Sequence, residues 1–144
     1  MPKSARAMER RKPRVVVDTN VFVSSLWGGN PQKVVDLWKE GRFLLLISLP
    51  VLKEYLAVLA RFGLSDQQLK ERGCLFLESP FSILVHPSRH FTVIKEDPSD
   101  NMFLECAVEG KADHIVSGDA HLLGLGTFRK ISIVPPGVFL QSFD

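Results

Sequence analysis

Cysteine is scarce: Cys74 and Cys106 are the only two in 144 residues, and they form neither a metal-binding spacing nor a disulfide framework. A reducing cytoplasm is therefore the expected location. Long apolar runs are also missing. Although 45% of the residues are hydrophobic, no stretch approaches the ~18 uninterrupted apolar residues of a membrane helix, so no membrane association is expected. Strong net charge is lacking too, at +2, but that value hides a gradient. Residues 1–14 hold six Lys or Arg against one acid, for +5, and the rest of the chain carries −3. The basic stretch has no apolar core of the kind a signal peptide needs. Residues 1–13 are expected to be a flexible basic leader, and residues 14–144 a single domain. A domain of this length buries ~68% of its unfolded surface and needs no cross-links.

What is present alternates between strand and helix signals. Val15-Val16-Val17 is a wholly apolar, β-branched run suited to a strand covered on both faces. Asn30-Pro31 has the form of an N-cap and first helical residue, with Val34, Val35, Leu37 and Trp38 as the apolar stripe and Gly41 as the stop. Phe43 to Ile47 reads as a strand. Ser48 caps a predicted helix carrying Leu52, Tyr55 or Leu56, and Leu59, and Ser65-Asp66 opens another to about Glu78. Strands are expected at Ile83–Val85 and Phe91–Ile94, then a helix over Pro98–Glu109, a strand at His114–Val116 and a last strand at residues 131–134. Strands separated by helices imply right-handed crossovers and a three-layer α/β fold with a mainly parallel sheet. In such sheets ligands bind beyond the carboxyl ends of the strands, where Asp18 and Asp119 fall.

Four carboxylates stand out, each with a second reading. Asp18 is abrupt polarity after an apolar strand; it is a turn or capping residue, or a metal ligand held on a rigid strand end. Glu54 shares a helix face with Val51 and Val58, which fits a boundary ion pair or a carboxylate turned toward a cation. Asp100 begins the apolar face of Phe103, Leu104 and Ala107 and is a candidate ligand, whereas Asp97 before Pro98 reads as a cap. Asp119 follows Ser117-Gly118, where glycine would permit a left-handed or closely approached turn; it too can cap the residues after it. Ser117 can hydrogen-bond an acid or only its local backbone. Converging carboxylates repel one another unless a cation sits among them. Oxygen ligands favour hard magnesium or manganese over zinc. His86, His90, His114 and His121 form no HExxH or Cys/His zinc pattern, and only His121 adjoins a candidate ligand.

Taken in order, VVVDTNVFVSS (15–25), SLPVLKEYLAVLAR (48–61), DPSDNMFLECAVEGKADHIVSGDAHLL (97–123) and ISIVPPGVFL (131–140) make the chain resemble the PIN-domain nucleases. The likeness is strongest to the toxins of bacterial and archaeal toxin–antitoxin pairs. The resemblance runs from about Arg14 to Phe143. It implies a parallel sheet of about five strands, with Asp18, Glu54, Asp100 and Asp119 as the catalytic, metal-holding acids. Thr19, Asn20, Asp97, Asn101, Ser117 and His121 become supporting polar residues. Many relatives carry an acid where this chain has His121, which leaves the count of one or two ions open. The reaction implied is magnesium- or manganese-dependent hydrolysis of RNA to 5′-phosphate and 3′-hydroxyl ends. A cognate antitoxin and a homodimer are the implied partners. Lys53, Arg61, Lys95 and Lys111 are candidate phosphate contacts. A non-catalytic PIN-like module that binds RNA or an antitoxin is the competing reading. A phosphatase or phosphoacceptor is disfavoured, because VVVDTN lacks the second aspartate of DxDxT.

Overall fold

The computed structural model describes residues 11–143, so most of the expected basic leader lies outside the described residues. Its last part contacts the body: the Arg11 guanidinium meets Asp113 at 2.6 Å, and the Lys12 ammonium lies 4.8 Å from the Phe81 ring centre.

The apolar runs become a six-stranded sheet ordered β3-β2-β1-β4-β6-β5. The strands are β1 (Arg14–Val17), β2 (Leu44–Ile47), β3 (Ser82–Leu84), β4 (His114–Val116), β5 (Thr127–Phe128) and β6 (Ile131–Val134). All neighbouring pairs are parallel except β5 with β6. Central β1 pairs Val16 with Ile115 and Val17 with Val116, and Val15, Val16 and Val17 are wholly buried. Burial on both faces is what an unbroken β-branched run requires.

Among the described residues, seven α-helices flank this sheet and make the layered α/β architecture. They are α1 (Thr19–Ser24), α2 (Gly29–Lys39), α3 (Leu49–Arg61), α4 (Asp66–Glu78), α5 (Asn101–Glu109), α6 (Ala120–Leu123) and α7 (Pro136–Gln141). Helix α3 starts where Ser48 accepts the Val51 N–H at 3.3 Å. At α4 the Ser65 hydroxyl accepts the Gln68 N–H while the Gln68 side chain accepts the Ser65 N–H, a reciprocal cap. Gly41, at φ 74°, ends α2; a Cβ there would lie 2.6 Å from the Phe81 ring. Among the described residues no helix is long and apolar enough to cross a membrane.

Three expectations change. Phe91–Ile94 is not a strand. The Phe91 N–H donates to Glu105, and the backbone of Ile94 is paired by the Asn101 amide at 3.0 and 2.9 Å, so side chains of α5 take the hydrogen bonds a strand would give its neighbour. Helix α2 begins at Gly29 behind Gly28, and no side chain caps it, so Asn30 is not its cap. The short helix α1 has no counterpart in the sequence reading. Instead of a turn, the chain after Asp18 coils directly into a six-residue helix.

Candidate active site

The carboxyl ends of β1 and β4 lie side by side at the centre of the sheet, so Asp18 and Ser117 leave adjacent strands together. The Ser117 hydroxyl donates to the Asp18 carboxylate at 2.7 Å and accepts the Asp119 N–H at 2.9 Å. One buried hydroxyl therefore spaces both aspartates. Beneath them the Tyr55 hydroxyl donates to the Val17 carbonyl, which ties α3 to the end of β1. That anchor presents Glu54, the preceding residue on α3, to a cavity of about 440 Å³. All four predicted acids line this cavity, together with Thr19, Asn20, Arg61, Asp97 and Ser99.

The geometry separates the supporting residues. Asp97 stands before the 3₁₀ turn Pro98–Asp100, but its side chain makes no capping bond and instead accepts from the Ser99 hydroxyl at 2.6 Å. Asn101 is buried and pins Ile94 and Pro98, so it shapes the loop rather than lining the cavity. Asp119 does cap α6, its Oδ1 accepting the N–H groups of His121 and Leu122 at 2.7 and 3.2 Å. Gly118 is not at a positive φ, and a Cβ there would meet nothing within 4 Å, so neither reason expected for this glycine applies. Asp119 is set instead by Ser117 and by its own cap. Of the candidate cations, Arg61 lines the cavity and Lys95 lines a separate hollow. Lys111 precedes β4 and so lies toward the amino ends of the parallel strands, opposite the acids. Ser99 was missed by sequence reasoning; its proximity to Asp97 was the available signal.

The electrostatics are those of a crowded acidic pocket. Burial pushes the Asp18 carboxyl above its ordinary value against the bond from Ser117, and the charge of Asp119 adds to the rise. Burial also raises Asp100, to about 7, helped by Asp119, Asp97 and Asp18. Two buried polar atoms of residues lining this cavity, Asp100 Oδ2 and Thr19 Oγ1, have no hydrogen-bond partner among the described residues. Buried oxygens left unpaired are costly. A divalent cation fits here, since it would satisfy Asp100 and relieve the repulsion at once. Ligand atoms of Asp100, Asp119 and His121 lie within 4.8 Å of one another. His121 thus enters the cluster from the place where the resemblance had led one to expect an acid.

Across known families, the PIN domain matches residues 14–121 of this sequence. The chain belongs to the PIN domain family. PIN domains are generally metal-dependent nucleases, and an acidic cavity at the strand ends is consistent with that chemistry. This PIN domain is 33% identical over 151 aligned positions to the uncharacterized protein MJ1680 of Methanocaldococcus jannaschii, covering 95% of this chain and 96% of that protein. Its fold is similar to that in the crystal structure of PAE2754 from Pyrobaculum aerophilum, with a TM-score of 0.53 at 17% identity over 90% of this chain and 88% of that one.

Proposed function

We propose that this PIN domain is a magnesium- or manganese-dependent endoribonuclease whose working acids are Asp18, Glu54, Asp100 and Asp119. The observation that carries the reading is the unpaired, buried Asp100 Oδ2 in a cavity lined by all four acids. Oxygen donors favour a hard ion. Asp18, Asp100 and Asp119 would hold it, with Glu54 closing the α3 side and His121 standing beside Asp100 and Asp119. When bound, such an ion supplies a water of lowered pKa and neutralises charge building on the phosphate.

The chain's own residues do the rest. Ser117 fixes the spacing of Asp18 and Asp119 before substrate arrives, so their positions need no rearrangement. Arg61 on the cavity wall meets the RNA phosphate and offsets the acidity of its neighbours. A water oxygen adds to phosphorus as it gives up a proton, the bond from phosphorus to the 3′-oxygen breaks, and that oxygen takes up a proton from solvent, leaving a 5′-phosphate and a 3′-hydroxyl. No side chain serves as nucleophile. The test is cleavage of a 5′-labelled oligoribonucleotide with added manganese, followed by analysis of the product ends. Manganese-dependent scission to those ends, abolished by EDTA, is expected. RNA binding with no turnover in either ion would instead make the chain a non-catalytic binding module.

The biological setting belongs to the same proposal: a cytoplasmic toxin held by a cognate antitoxin, and able to form a homodimer. Trp27 and Phe62, edge to face at 5.6 Å and more than half exposed, provide apolar surface that a partner would cover. Co-purification with the product of an adjacent gene, and inhibition of cleavage by it, is the expected result. No binding by that product would remove the pairing.

A further inference from the structure

A second hollow, of about 330 Å³, opens on the other side of Asn20 from the acids. Asn20 lines both cavities, and Gly118, on the wall of the second, is bonded to Asp119 of the first. The two spaces therefore adjoin at Asn20, near the ends of β1 and β4. The volume falls within the ~300–1,000 Å³ of small-molecule sites.

Three features shape its wall. Asn30 faces the hollow without capping helix α2, which begins before it. Gly118 needs neither a left-handed backbone nor close packing, so what its missing side chain preserves is open space. Gly137 lies under the Asn30 amide, and a Cβ there would come within 3.1 Å of Asn30 Nδ2. Gly137 thus leaves room beside the Asn30 carboxamide, Gly118 leaves the wall open, and Pro31 and Pro136 add apolar surface. A carboxamide carries both a donor and an acceptor, as does the edge of a nucleobase, and single-stranded RNA is read by hydrogen bonds to such edges and packing on ring faces.

We infer that this hollow is a nucleobase subsite. It takes one of the two bases flanking the phosphodiester held at the acids, with the ring against Pro31 and Pro136 and the edge hydrogen-bonded by Asn20 and Asn30. The assignment rests on the ribonuclease reading and adds base recognition to it.

The test uses an oligoribonucleotide cut at one mapped bond, together with two versions carrying an abasic ribonucleotide on either side of that bond. For the native protein, one of the two abasic substrates should show a KM raised about tenfold, the scale of a lost base contact. Asn30→Ala and Gly137→Ala should raise KM by a similar factor on the intact substrate and add nothing further on that abasic one. The inference is overturned if the abasic penalty persists in full in both variants, or if neither abasic substrate differs from the intact one. Should the protein cleave no RNA at all, the ribonuclease reading fails separately. The subsite is then decided by titrating the four nucleoside 5′-monophosphates into labelled protein. Displaced Asn30 side-chain and Gly137 amide resonances support it, and resonances unmoved by any of the four reject it.

Discussion

Because burial and the charges of Asp119, Asp97 and Asp18 push its carboxyl up to about 7, Asp100 holds a proton in the folded, metal-free protein that the unfolded chain has already released. The stability this contributes is full below the unfolded value near 4 and is lost as the pH rises through about 7. In EDTA, the urea midpoint should therefore fall between pH 5 and pH 8, and Asp100→Asn should flatten that fall. A midpoint that climbs over the same range would contradict the buried, crowded setting of Asp100. Cation binding must displace this proton. Asp18→Asn and Asp119→Asn keep the side-chain shape and should lower RNA cleavage by ~100-fold or more, the upper range for losing groups that fix a metal site. Activity within a few-fold of native in either variant would remove that residue from the working set. At this scale the position of the strand-end acids was legible, since Asp18 directly follows the buried run Val15–Val17 and Asp119 lies shortly after β4. The closeness of His121 to Asp100 was not, because it depends on how α6 turns after Asp119.

At the scale of elements, the serine caps and the apolar runs spoke clearly, while the caps expected of Asn30 and Asp97 and the short or side-chain-paired pieces did not. The reciprocal cap of Ser65 and Gln68 fixed the start of α4, and Ser65→Ala should cost ~1 kcal/mol in chemical unfolding. No change in midpoint would show that the cap contributes nothing. Helix α1 has six residues, too few for a 3.6-residue period to declare itself, and β5 has two. Phe91–Ile94 has strand composition, but composition does not reveal that Glu105 and Asn101 on α5 will take its backbone hydrogen bonds. This matters for the site, since the same Asn101 amide bonds Pro98 and so holds the turn that delivers Asp100.

Across the whole molecule, the sheet, the aromatic core and the acidic cavity form one mechanical unit. Phe22, Trp38, Tyr55 and Phe76 pack ring against ring, Trp38 stacked on Phe76 at 5.7 Å and Tyr55 5.0 Å from it. Tyr55 carries that packing to the end of β1 through its bond to Val17, one residue before Asp18. Phe76→Ala should thus destabilise the fold by ~3–5 kcal/mol in urea titrations, and a loss under 1 kcal/mol would deny this cluster its place in the core. The parallel order of the sheet was legible from strands alternating with helices. The resemblance implied that four acids spread from residue 18 to residue 119 act together, and the crossovers that bring α3 and the turn before α5 to the carboxyl ends of the strands put all four on one cavity. The most direct test of that convergence is a manganese titration followed by electron paramagnetic resonance, comparing native protein with an Asp18→Asn, Asp100→Asn, Asp119→Asn triple variant at pH 8. Stoichiometric loss of the free-ion signal with native protein alone is the predicted result. An unchanged signal with native protein, or equal uptake by the triple variant, would contradict it.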